Sequence, residues 1–216
     1  MAMSSTDVRS FFQTRAKYRT LTAQTTILIL AGIAFAADML VVYLSMGEAR
    51  QIYGGVSLLL VGVYAFTPLI GWMAMTAVVT GIGQVVKARI RYGTLLRVTG
   101  WASIPLVGTG VSWSLGRYLA LGSSEPCADG SFECGPGTYA TIQDQVQAIF
   151  AYTAGASADP LFLGFFVVGL VFAVATAVLW VWAAEQVSTL TIQGAVVAAG
   201  IPASLLIALL VYLSVL

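Results

Sequence analysis

Residues 51–86 contain no Asp, Glu, Lys or Arg, and neither do residues 98–116, 160–184 or 186–216. Between Arg19 and Glu48 there is one charge, Asp38. No other feature constrains the fold as much, because about 20 consecutive apolar residues suffice for a helix to cross a bilayer. Read between the charges, the chain predicts five transmembrane helices near 24–45, 57–85, 98–120, 161–184 and 190–214. The expected fold class is all-α: a polytopic bundle of five transmembrane helices over residues 21–216, after a short N-terminal segment, 1–20. Composition agrees, with 9% charged residues and 59% hydrophobic ones, where a soluble domain carries roughly 25% charged. The second run is long for one straight crossing. A kink at Pro68, a first turn in the interface or a tilt would absorb the excess.

Charge in the short connections sets the expected orientation. Arg9, Arg15, Lys17 and Arg19 precede the first span, and Lys87, Arg89, Arg91 and Arg97 precede the third. The segment 121–159 carries Glu125, Asp129, Glu133, Asp144 and Asp159 and no Lys or Arg. The N-terminus is therefore expected in the cytoplasm, and the loop 121–159 and the C-terminus outside, in a multi-pass protein of the cell membrane. The first apolar run exceeds a signal-peptide core of about 7–15 residues and reads as a retained helix. Ahead of it, Val8, Phe11, Phe12 and Arg15 recur at helical spacing, predicting a short amphipathic helix on the inner leaflet.

Several chemistries are excluded at once. The chain has no histidine, which removes Ser-His hydrolysis, His-ligated haem and His proton relays. The only lysines, Lys17 and Lys87, lie in basic flanks, so no intramembrane Schiff base is expected. Neither a metal nor a cofactor is predicted, and the net charge of +1 gives no reason to expect nucleic acid. The chain is read as a non-enzyme.

Three groups of residues stand out. Cys127 and Cys134 flank "CADGSFEC" in the outer loop; on the oxidising side a disulfide is expected, and no His or further Cys is at hand for zinc. Asp38, alone in its span, needs a partner, since an unpaired Asp at mid-helix costs about 2.5–3.5 kcal/mol on insertion scales. Arg117 lies in the outer half of the third span, as Asp38 does in the first, so an intramembrane Asp38–Arg117 ion pair is expected. Lys87, Arg89, Arg91 and Arg97 form a basic patch that anchors topology and attracts anionic lipid head groups or an acidic partner. Glu185, at the same face, is expected to pair with it. "TAGASADP" at 153–160 reads as a loop.

The stretch "YGTLLRVTGWASIPLV" (92–107) places a Gly-aromatic step and then a proline at the start of the third span. It resembles the central signature of the Yip1 family, with Gly93, Gly100, Trp101 and Pro105 at the matching positions. "FFQTRAKYRT" is similar to the Phe-Phe segment of prokaryotic members. The Trp departs from the Tyr of many members, and the longer N-terminal region tied to small-GTPase partners is absent. The resemblance implies a non-enzymatic protein of membrane organisation or trafficking type. Its partners would be membrane lipids, anionic ones included, a second copy, or another membrane protein. The alternative is a small channel or secondary carrier using Asp38 and helices kinked at Pro68 and Pro105. A bend of the third helix at Gly100-Trp101 and Pro105 is expected to open a crevice ringed by Arg89, Arg91 and Arg97. The Ala/Val/Gly richness, Arg over Lys and acidic outer loop have an archaeal, halophilic flavour.

Overall fold

In a computed structural model of the chain, residues Ser10, Phe11, Thr14, 20–122, Cys127, Phe132 and 141–215 are described, and every regular element among them is helical. In chain order these are α1 (Thr22–Ser45), a 3₁₀ turn (Gly47–Ala49), α2 (Arg50–Val85), α3 (Tyr92–Ala102), α4 (Pro105–Leu121), α5 (Ile142–Ser157), α6 (Pro160–Val187), α7 (Ile192–Ala195), a π turn (Val196–Gly200) and α8 (Ile201–Val215). Three uninterrupted stretches are long and apolar enough to cross a membrane: Thr22–Ser45, Gly47–Val85 and Pro160–Val187. Their outward faces carry the residues a soluble protein would bury. Ile33, Leu59, Phe66 and Val171 are each more than half exposed.

The third expected span is not one helix. Ser103 N–H turns back to the Gly100 carbonyl and Ile104 N–H to that of Trp101, both at 3.3 Å. Pro105, which has no N–H to give, then starts α4 at a helix position that needs none. The fifth expected span is likewise interrupted: the π turn lies just ahead of Pro202, whose missing N–H removes the bond that α-register would require. The second expected span starts earlier than predicted, at Arg50, and runs unbroken through Pro68 for 36 residues, about 54 Å at 1.5 Å per residue.

That early start has a packing reason. Ala49 and Tyr53 are buried in one cluster with Met46, Phe132, Ile149 and Tyr152. The last two belong to α5, a helix inside the segment expected to be an outer loop. A capping box starts α5: Asp144 N–H donates to Thr141 Oγ1, and Thr141 N–H to Asp144 Oδ2. The Thr141 hydroxyl also donates to Asp144 Oδ2 at 2.6 Å, and this bond first, the backbone one second, hold the Asp144 carboxyl below its ordinary pKa range. "TAGASADP" is therefore not a loop; it is the last turn of α5, a tight connection, and Pro160 at the first position of α6.

Contacts run in the order α2–α1–α4–α6, with α3 and the π turn filling in against α6. Between helices in lipid there is no hydrophobic drive, so backbone proximity and packing decide. A Cβ on Gly32 would run into the Ala65 carbonyl of α2; one on Gly110 would lie 2.9 Å from Ala34 C and Phe35 N of α1. Gly116 packs against Phe162 and Phe165 of α6, and Gly169 against the Trp113 indole. Each joint in this order thus has a glycine at its closest approach.

Candidate functional site

α1 carries Asp38 on the face that also buries Leu28, Phe35, Met39 and Val42, and α4 carries Arg117 among Trp113, Ser114 and Leu121. The Arg117 Nε lies 2.8 Å from Asp38 Oδ1, and both side chains are almost fully enclosed, at 1% and 3% exposed. A second guanidinium nitrogen, Nη1, donates to the Thr153 carbonyl of α5 at 3.1 Å. The guanidinium carbon sits 4.7 Å from the centre of the Phe162 ring on α6, a favourable place for a desolvated cation. One arginine therefore joins four helices. The carbonyl of Thr153 was not anticipated, because it belongs to the unrecognised helix α5. The signal for that helix was the Thr141–Asp144 spacing.

The break between α3 and α4 creates a second polar centre. The Thr99 carbonyl, passed over by Ser103 N–H, accepts instead from Ser103 Oγ (2.8 Å) and from the Trp180 indole (3.1 Å). The same indole reaches Ser103 Oγ at 3.0 Å. On the other side, Trp72 Nε1 bridges the Leu96 carbonyl and Thr99 Oγ1, each at 3.1 Å. Two tryptophans, one from α2 and one from α6, thus clamp α3 near its break. Buried N–H and C=O groups need partners, and here indoles supply them.

The family-motif positions have unequal roles. Gly93 has open space where a Cβ would go, whereas a Cβ on Gly100 would lie 2.6 Å from Gln24 Cβ and 3.3 Å from Trp72. Trp101 makes an edge contact with Phe11, centroids 6.2 Å apart. With its amide turned to suit both neighbours, Gln24 donates to the Leu21 carbonyl and accepts from Trp101 Nε1 at 2.9 Å. Phe11 also packs against the buried cluster that includes Met75, Leu95 and Val98; Phe12 lies outside the described residues.

The four basic residues differ in their surroundings. Lys87 adopts a left-handed backbone, φ 57°, and closes α2 in a Schellman turn, with Ala88 N–H on the Gly83 carbonyl and Lys87 N–H on that of Gln84. Arg89 N–H is tied to Thr189 Oγ1 at 3.0 Å, Arg91 is exposed ahead of α3, and Arg97 is half-buried with an enclosed Nε that has no hydrogen-bond partner among the described residues. Glu185 makes no ion pair among the described residues and instead accepts from Gln186 Nε2 at 3.4 Å. The depression at this end is lined by Lys87, Thr189, Thr191 and Gln193 rather than by the three arginines.

Cys127 packs against the cluster of Tyr53, Phe132 and Ile149; Cys134 lies outside the described residues, and the bond between them stands as a proposal. Labelling of the unreduced, denatured protein is expected to find no reactive thiol, and two reactive thiols would refute the bond. Among the described residues, no three His, Cys, Asp or Glu side chains come together as a metal site. Compared with family models, curated proteins and solved structures, the chain matches none.

Proposed function

We propose that this chain is a five-span membrane protein that acts without turnover, as a scaffold for lipids or membrane partners of the kind its Yip1 resemblance implies. In this reading α3 and α4 together make the third crossing, and α7, the π turn and α8 together the fifth. The N-terminus and the Lys87–Arg97 connection then lie in the cytoplasm and α5 outside.

The observation that supports it is the use of the buried polar groups. Asp38 is engaged by Arg117, and Trp72, Trp180, Thr99 and Ser103 satisfy one another at the break. An ion pathway would need such groups to face a hydrated space. The outward surface offers two kinds of contact: apolar helix faces, and the basic Lys87–Arg97 connection.

The test is reconstitution in vesicles of phosphatidylcholine and phosphatidylglycerol. Phosphatidylglycerol is expected to survive detergent purification, and to be lost when Arg89, Arg91 and Arg97 become Gln while basic residues added at the N-terminus preserve topology. Cysteines placed at Ser4 and after Leu216 are expected to label from opposite sides. An ion current abolished by Asp38→Asn would overturn the scaffold reading in favour of transport.

A further inference from the structure

Three prolines mark one level of the bundle, around an apolar crevice between α2, α6 and α8. Pro68 of α2 lines it, Leu106 lines it one residue after Pro105, and Ala203 one residue after Pro202. Pro68 and Pro202 have no N–H to return to the preceding turn, and Pro105 follows directly on the break between α3 and α4. Thr67 and Thr176, also in the lining, turn their hydroxyls onto the carbonyls of Val63 and Phe172 in their own helices, a bond that softens and often bends a helix. Back-bonding of that kind recurs at Thr80 and Ser114, so the prolines set the level and the threonines add to it. The crevice encloses about 30 Å³, far short of the roughly 300–1,000 Å³ of a ligand pocket. It is slack in the packing, where lining atoms lack neighbours.

The fastenings between helices respect the same level. Towards Lys87, Trp72 of α2 donates to the Leu96 carbonyl and Thr99 Oγ1, and Trp180 of α6 to the Thr99 carbonyl and Ser103 Oγ. Each tryptophan follows the soft point of its own helix, Pro68 or Thr176, by four residues, about one turn. Towards Arg117, Thr109 donates to the Gly169 carbonyl, Trp113 to that of Phe166 and Ser114 to that of Ala34, and Arg117 pairs with Asp38. So α3 is fixed to the Lys87-end parts of α2 and α6, and α4 to α1 and the first half of α6. The bond that links the two groups is at the start of α1, where Gln24 accepts from Trp101. There α1, unbroken over its 24 residues, also sets Leu28 against Trp72 and Leu96.

From this arrangement we infer that the bundle is hinged at the level of Pro68, Ser103–Pro105 and Pro202. On the Lys87 side, α3, α7 and the adjoining parts of α2 and α6 swing as one body. On the Arg117 side, α1, α4, α5 and the first halves of α2 and α6 form the other. The contact of Gln24 and Leu28 with α3 and Trp72 is the pivot, and the crevice between α2 and α8 opens and closes. The inference goes beyond the scaffold reading, and it depends neither on lipid retention nor on which end is cytoplasmic.

The experiment uses the full chain in phosphatidylcholine nanodiscs, with spin labels carried in pairs on keto amino acids, which leave Cys127 and Cys134 untouched. The labelled positions face outward: Leu59 with Tyr118 within the Arg117-side body, Val85 with Trp182 within the Lys87-side body, and Tyr118 with Val85 across the hinge. Pulsed dipolar spectroscopy of frozen samples is expected to give two distances, or one broad distribution, for the pair across the hinge and a single narrow distance for each pair within a body. Pro68→Ala together with Pro202→Ala, which completes both ladders, should remove the second distance. Gly71→Leu asks the same if that variant does not accumulate: a Cβ there would meet Leu206 at an ordinary 3.6 Å, and the longer side chain fills the slack. A single narrow distance for all three pairs would overturn the hinge. Equal breadth in all three would overturn it too, since the softness would then be general. So would a distribution across the hinge that stays broad in both the proline and the Gly71 variants.

Discussion

Arg117→Leu is expected to destabilise the folded protein by about 3–5 kcal/mol, the cost of leaving one member of a buried ion pair without its partner. The loss has two parts. Asp38 remains enclosed with its 2.8 Å partner gone, and the Thr153 carbonyl loses the Arg117 bond while keeping that of Ser157 Oγ. The double change Asp38→Asn with Arg117→Leu should recover the first part and not the second, so recovery will be incomplete. Unfolding of the two single variants and the double variant in micelles measures the coupling. Strictly additive losses would show that the pair contributes nothing beyond its separate members. A further signature follows from geometry: α5 should become accessible to protease in Arg117→Leu and stay accessible in the double variant.

The second large effect is steric. Gly110→Ala places a methyl 2.9 Å from backbone atoms of Ala34 and Phe35, and Gly32→Ala drives one into the carbonyl of Ala65. Neither neighbour is a side chain that can rotate away, so α1 must separate from α4 or from α2. Overpacking of this kind costs about 1–3 kcal/mol, and here it falls on the helix at the middle of the order α2–α1–α4–α6. Gly93→Ala, with nothing within 4 Å, is the control and should be silent. Equal stability of all three variants, measured as thermal midpoints in the same detergent, would refute the close-approach account.

What could be read in advance was what hydrocarbon enforces. Asp38 stood alone between Arg19 and Glu48, and a charge in that setting needs an opposite one at the same depth; Arg117 was available. The proline at 105 marked a break, but not which carbonyl would be stranded by it. Trp101 keeps a partner through Ile104 N–H, and it is Thr99 that turns to a tryptophan 81 residues further on. Such long-range satisfaction leaves no local periodicity to detect. Helix α5 was missed for a different reason: the segment 121–159 was read by its charge alone, and acidity marks a side of the membrane without marking a conformation. The different surroundings of exposed Lys87 and half-buried Arg97 were also hidden, because sequence proximity in a connection says nothing about which side chain the turn sends to which neighbour.

The pairing of Asp38 with Arg117 spans 79 residues, and a ribosome makes them in that order. Domains emerge N-terminal end first, so the carboxylate of α1 arrives well before the guanidinium that will match it. Until Arg117 is made, α1 carries an intramembrane charge worth about 2.5–3.5 kcal/mol against its insertion. The arginine has the converse problem, since α3 and α4, 11 and 17 residues long, are each shorter than the roughly 20 residues of a self-sufficient span. In the proposed five-span reading each half would supply what the other lacks: the waiting aspartate gives the interrupted segment a reason to stay, and its arrival releases α1 from its penalty. On the five-span reading, insertion of α1 would therefore be completed only in a chain long enough to include Arg117.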